Sequence, residues 1–296
     1  MNFEKAKANS GFKMEGYYVW CGSPVKESGR YYLLATRWPK ETAFPSGYLS
    51  NSEIVLASAP SLDRPFQFEK VVIGKREGGY WDSAMAHNPF VLKVGEKYVM
   101  FYIGSPDGGM ETRAIGYAVA DCLQGEWVRS DTPLDLPSNA NNPCVLQDRD
   151  GKYLLYFRDG ALKVSVARAE NCCGPYEILQ YDLFPKGPVE DMFVYIENGK
   201  YEMIAEDCIG AFTGIEKAGV KFYSDNGIDW EAERCESAYQ YDVEYDDGTR
   251  ITLQRRERPI ILRDGEDGYL FTGAKTGGPD KLTGGDTWNL VQKIAK

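Results

Sequence analysis

One phrase recurs five times along this chain: a polar or charged doublet runs into a strand, a turn and a second, aromatic strand. The first two occurrences are Trp20-Cys21-Gly22 before Tyr31-Tyr32-Leu33-Leu34, and His87-Asn88-Pro89 before Tyr98-Val99-Met100-Phe101-Tyr102. Asn141-Asn142-Pro143 then precedes Tyr153-Leu154-Leu155-Tyr156-Phe157, and Glu190-Asp191-Met192 precedes Tyr201-Glu202-Met203-Ile204. The last is Glu257-Arg258-Pro259 before Tyr269-Leu270-Phe271. Repetition of a strand-built unit at this period predicts an all-β chain folded as a five-bladed β-propeller.

The rest of each repeat agrees. Third strands are read at Glu53-Ile54-Val55-Leu56, Ala114-Ile115-Gly116-Tyr117, Leu162-Lys163-Val164-Ser165 and Val220-Lys221-Phe222-Tyr223, each alternating apolar residues between turn signals. A turn and an aromatic follow, as in Arg64-Pro65-Phe66, Gly125-Glu126-Trp127, Gly174-Pro175-Tyr176 and Asn226-Gly227-Ile228-Asp229-Trp230, and open a fourth strand. The blades span about 17–70, 81–130, 138–180, 187–235 and 253–296 within one domain. The fifth is short, so closure is expected to borrow a strand from residues 11–18. A β-sandwich also offers many short strands, but gives no reason for one doublet at one place in five repeats.

The 296 residues are 13% aromatic, with 20 Tyr, which is ample material for a core. A net charge of −10 argues against nucleic acid as a partner. Seven Cys, two of them adjacent at Cys172-Cys173, suggest no disulfide framework, and one His without a C-x-x-C gives zinc little support. No apolar run has the length of a membrane span, and Met1-Asn2-Phe3-Glu4-Lys5 does not begin a signal-like stretch. The expectation is a cytoplasmic protein with reduced thiols and no membrane partner.

In a propeller every innermost strand starts at the same rim, so the doublets should converge on one central pocket. Their inventory is Trp20/Cys21, His87/Asn88, Asn141/Asn142, Glu190/Asp191 and Glu257/Arg258. Amides, carboxylates, imidazole and guanidinium fill an apolar core badly and suit a polyhydroxylated ligand well. Trp20, Trp38 and Trp81 are candidate faces for a sugar ring, with packing between blades the equal alternative. Strand alternation raises the question whether both members of a doublet can share the pocket.

The doublets and the turn-Tyr-Tyr-Leu phrase resemble the five-bladed glycoside hydrolases of family 43 and its relatives, including the fructan hydrolases of family 32. The resemblance covers nearly the whole chain from Tyr17. It implies an Asp base in blade one, an Asp in blade three that tunes the acid, and a Glu acid in blade four, two residues before a proline position. Here the acid position falls on Glu190, two before Met192, while Cys21 and Asn142 stand at the other two. The chain is more similar to a divergent group of predicted glycosidases with Trp-Cys-Gly-Ser, His-Asn-Pro, Glu-Asp and Glu-Arg-Pro at these places.

Hydrolysis of a glycoside needs two carboxyl groups. The expected acid is Glu190, with like-charge crowding by Asp191 raising its pKa. The second carboxylate is Asp82, in Tyr80-Trp81-Asp82-Ser83, or Asp191; Asp82 is placed ahead as base because its loop enters blade two at the same rim. Trp20, Cys21, His87, Asn88, Asn142, Arg158, Glu257 and Arg258 are expected to bind substrate. Cys21 reads as a small pocket-lining thiol rather than a nucleophile, and Arg258 as an anion clamp or an ion-pair partner of Glu190 or Glu257. No cofactor is required, although a water-coordinated cation beside His87 is compatible with the pattern. The stretch from Glu206 to Lys217 is expected to fold over the pocket. The function expected is cleavage of a small oligosaccharide; the alternatives are a phosphorylase using Arg258 and Arg158 for phosphate, or a propeller that binds carbohydrate without turnover.

Overall fold

The computed structural model describes residues 1–277 and 284–296. Residues 278–283, within the span read as the fifth repeat, lie outside the described residues.

The strands fall into blades in chain order. Blade one holds β1 (Tyr17–Glu27), β2 (Arg30–Pro39), β3 (Glu53–Ala59) and β4 (Gln67–Ile73), with a one-turn helix α1 (Tyr48–Asn51) in the β2–β3 connection. Blade two is β5 (Met85–Val94), β6 (Lys97–Ser105), β7 (Ala114–Ala120) and β8 (Val128–Arg129). Blade three is β9 (Asn141–Gln147), β10 (Tyr153–Arg158), β11 (Val164–Ala169) and β12 (Glu177–Gln180). Blade four is β13 (Val189–Glu197), β14 (Lys200–Asp207), β15 (Ala218–Ser224) and β16 (Glu236–Tyr239). A separate hairpin follows, β17 (Asp242–Glu244) with β18 (Arg250–Thr252), before β19 (Arg255–Asp264), β20 (Asp267–Lys275) and β21 (Thr287–Lys293) of blade five. All pairings between these strands are antiparallel, as short turns between consecutive strands require.

Burial explains the strand sequences. The second strand of each blade is covered on both faces by neighbouring blades, so β10 reads Tyr-Leu-Leu-Tyr-Phe with every one of those residues buried. The outermost β12 has only one covered face and alternates exposed with half-buried residues.

Blade five has three strands of its own among the described residues. The N-terminal segment lies along the outer edge of β21, bridging Phe3 to Ile294 and Phe12 to Asn289. Glu4 N donates to Lys293 O at 2.9 Å, and Phe12 and Asn289 exchange both backbone hydrogen bonds. The borrowed pairing comes from residues 3–12 and meets the expected 11–18 only at its start, at Phe12, because Tyr17 and Tyr18 already belong to β1. The same segment bonds the β17–β18 hairpin through Ala6, whose N donates to Glu244 O at 2.8 Å. First and last blades are thus locked together.

Candidate active site

Every innermost strand carries the same defect at the same place. Cys21, Asn88, Asn142, Asp191 and Arg258 all have left-handed backbone, with φ of 46, 51, 54, 60 and 56°. At each, the pairing with the second strand slips by one residue, for example between Glu190↔Glu206 and Phe193↔Ile204. These are β-bulges with the first residue in the left-handed region. Such a conformation costs a non-glycine residue roughly 1–3 kcal/mol, least for Asn and Asp, and persists where function uses it.

The bulge answers the question that strand alternation raised. An extra residue breaks the period of two, so both members of every doublet line one cavity of about 160 Å³ on the axis. A dry cavity of about that size accommodates a single six-membered ring. Phe44, Pro45 and Tyr48, from the β2–β3 connection, close one side. The sequence gives these no signal, because a loop residue belongs to no repeat.

A belt of hydrogen bonds joins the bulges. Asn88 N donates to Thr36 Oγ1 at 3.1 Å, and Asn88 Nδ2 donates to Asn142 Oδ1 at 2.7 Å. Asn142 Nδ2 donates to Asp191 Oδ1 at 2.8 Å, and Arg258 N donates to Asp191 Oδ2 at 3.2 Å. The carboxylate sets the direction of the chain, since it can receive from Asn142 and leaves the Asn142 oxygen to receive from Asn88.

The acidic groups gather on blades four and five. Glu190 faces Glu206 directly across the β13–β14 pair, an arrangement of like charges that needs a cation. Lys217 supplies it, 2.8 Å from Glu206 and 3.7 Å from Glu190, while Arg158 from blade three is ion-paired to Glu190. Oxygens of Asp191, Glu206 and Glu257 all lie within 4.8 Å of one another. Burial pushes the Asp191 carboxyl up to about 7; Arg258 opposes this, and Glu190 and Glu257 add to it. Burial likewise raises Glu206 well above the usual carboxylate range, with Glu257 and Glu190 adding to it, and raises Glu257 against the pull of Arg255. Glu206 was not singled out from the sequence as a site residue; its position directly opposite Glu190 in the hairpin register was the available signal.

The stretch after Glu206 is organised by Asp207, whose carboxylate accepts backbone bonds from Ala211, Phe212 and Thr213 at 2.8–2.9 Å. It delivers Lys217 to the acidic cluster, and none of its residues is part of the cavity wall.

One expectation is corrected, and one open alternative is decided. Asp82 does not line the cavity. Its fully buried carboxylate is held by Arg76 Nε at 2.6 Å, Tyr102 OH at 2.7 Å and Arg129 Nη1 at 3.3 Å, which turns it into the blade. Trp81 takes the packing alternative: its Nε1 donates to Ser130 O at 2.9 Å, and its ring fills the space over Gly104 and Gly116. A Cβ on Gly116 would meet that ring at 2.2 Å.

The other wall is neutral or cationic. Trp20 and Trp38 line the cavity, Trp38 stacking on Phe44 at 5.7 Å. Cys21 is buried and its thiol is raised well above the usual range, chiefly by burial, so it is no thiolate. His87 stacks on Tyr48 at 4.3 Å, and its Nδ1 has no hydrogen-bond partner among the described residues. Burial, then Arg258 and Arg113, hold it well below its ordinary pKa. A neutral imidazole beside two guanidiniums is a poor setting for a cation. Among the described residues no cysteine is in a disulfide.

No protein-family model matches the sequence, and no curated protein matches it. Solved structures match by shape. A protein described as a glycoside hydrolase superposes with a TM-score of 0.75 at 12% identity, over 100% of this chain and 92% of its own. A family 117 glycoside hydrolase from the marine bacterium Zobellia galactanivorans gives 0.70 at 16% identity, over 98% and 90%. A thermostable family-43 glycoside hydrolase gives 0.68 at 14%, over 99% and 93%. At these identities the likeness establishes the five-bladed propeller.

Proposed function

We propose that this propeller is a glycoside hydrolase whose axial cavity holds one sugar unit, with Asp191 as proton donor and Glu190 as the partnering carboxylate. The observation that carries the reading is that two adjacent carboxyls of one bulge face the same cavity in opposite electrostatic settings. Asp191, raised to about 7, holds a proton near neutrality. Glu190 is ion-paired with Arg158 and stands 3.7 Å from Lys217. Environments that differ in this way assign acid and base in one site. The pair reverses the role that the family resemblance implies for Glu190. The glycoside hydrolases that share the fold lend the reaction class further support.

The sugar would lie between Trp20 and the Tyr48/His87 stack, with Asn88 Oδ1, a buried acceptor without a partner among the described residues, available to a hydroxyl. Proton donation to the leaving oxygen and carboxylate assistance each contribute about 10²–10⁴-fold in rate.

The test uses glycosides whose leaving groups differ in basicity. Asp191→Asn should lose turnover of alkyl glycosides and keep much of it with dinitrophenyl glycosides, which leave without a proton. Glu190→Gln should lose both. The opposite pattern would return the acid to Glu190; unchanged turnover in both variants would remove both carboxyls from the chemistry, and no turnover of any glycoside by the unaltered protein would sink the hydrolase reading.

A further inference from the structure

An acidic chain of net charge −10 gathers an excess of guanidinium at its axis. Four arginines line the cavity, Arg113, Arg158, Arg255 and Arg258, against the carboxyls of Glu190, Asp191 and Glu257. Arg158 is committed to Glu190, and Arg255 to Glu257 at 3.1 Å. Arg113 bonds only neutral groups: Met110 O, Asn139 Oδ1 and Tyr48 OH, at 2.9–3.1 Å.

Arg258 is the most unusual of the four. It is 4% exposed, and its Nη1 is buried without a hydrogen-bond partner among the described residues. Asp191 Oδ1, the nearest carboxylate oxygen, stands 3.5 Å from Nη1. A guanidinium has five donors in a planar fork, and burying it without acceptors is costly unless something else supplies them. Beside it sits His87, also buried and with Nδ1 unpartnered among the described residues. Arg258 and Arg113 both act on His87, so the three gather at one part of the cavity, with Asp191 of blade four at its edge.

We infer that Arg258, Arg113 and His87 form an oxyanion subsite that receives the carboxylate of a uronic-acid sugar. The planar fork of Arg258 matches a carboxylate in two parallel hydrogen bonds, a geometry that a hydroxyl cannot use. The cavity volume of about 160 Å³ suits an anionic group on the sugar ring itself rather than on a second unit. The inference rests on the glycosidase reading for its sugar, and on the unpartnered Nη1 of Arg258 for its charge. Inorganic phosphate would satisfy the same donors, so the source of the oxyanion is decided by experiment.

Binding of glucuronate, galacturonate, glucose, galactose and inorganic phosphate is measured by calorimetry, with thermal shift as a second readout. A uronate should bind at least about 10-fold more tightly than its neutral counterpart. Arg258→Gln should reduce uronate affinity by roughly 30-fold or more, as expected for losing one partner of a desolvated charge pair. Arg113→Gln, farther from the belt of bulges, covers the case in which Arg258→Gln does not fold. Equal binding of uronate and neutral sugar would overturn the subsite. Release of neutral sugar that requires inorganic phosphate would overturn the uronate assignment and put phosphate on Arg258. Hydrolysis of neutral glycosides with no uronate preference would remove this inference and leave the hydrolase standing. Tight uronate binding without turnover of any glycoside would do the reverse.

Discussion

Asn142 Nδ2 donates a 2.8 Å hydrogen bond to Asp191 Oδ1, tying the bulge of blade three to the bulge of blade four. A hydrogen bond to the charged form of a carboxyl favours ionisation, so it restrains the rise that burial imposes on Asp191. Asn142→Ala removes that restraint. The alkaline limb of the pH–rate profile, set by the proton on Asp191, should move up by about one pH unit, equivalent to roughly 1.4 kcal/mol. An unmoved limb in the folded variant would detach Asp191 from that limb.

Asp191 also links pH to stability. Its folded pKa, about 7, lies above the ordinary value of 3.8, so the folded state holds the proton more tightly. Its contribution is fully present below about pH 4 and is lost as pH rises through about 7. Glu206 and Glu257, also raised, act with the same sign. Stability should fall between pH 5 and pH 8 in thermal unfolding, and Asp191→Asn should flatten the slope. A steeper slope in the variant would contradict the assignment.

Asp82 separates structure from chemistry. Asp82→Asn leaves Arg76 and Arg129 facing a neutral amide in a fully buried place, with an expected cost of about 3–5 kcal/mol. Below its lowered melting temperature the variant should keep its kcat, because Asp82 is outside the cavity wall. A kcat reduced 100-fold in folded protein would restore Asp82 to the site.

The Lys217–Glu206 pair should behave as a unit. Lys217→Met leaves Glu206 and Glu190 facing each other across the hairpin without the cation between them, and should cost about 3–5 kcal/mol. Adding Glu206→Gln removes the repulsion and should recover most of the loss. A double-mutant cycle in chemical denaturation measures the coupling; additive effects would show that the two do not act together.

The repeat was readable because blade packing repeats its demands. Each blade needs an apolar second strand covered on both faces, and Tyr153–Phe157 or Tyr98–Tyr102 announce that without any tertiary knowledge. The doublets were readable as an inventory of one pocket for the same reason: five strands that start at one rim place equivalent residues together.

What the sequence could not decide was where side chains point. Alternation would have sent Glu190 and Asp191 to opposite faces, yet a left-handed bulge, created where the blades meet on the axis, turns both inward. Asp82, five residues before His87, was close in sequence and still turned into the blade, because two arginines and Tyr102 hold its charge there. Glu206 entered the acidic cluster through strand register, and residues 3–12 completed blade five through pairing across almost the full length of the chain. Local pattern determined the propeller and the cast of residues on its axis. Tertiary structure assigned their directions and partners, because charge pairing, burial and strand register depend on groups that the sequence places far apart.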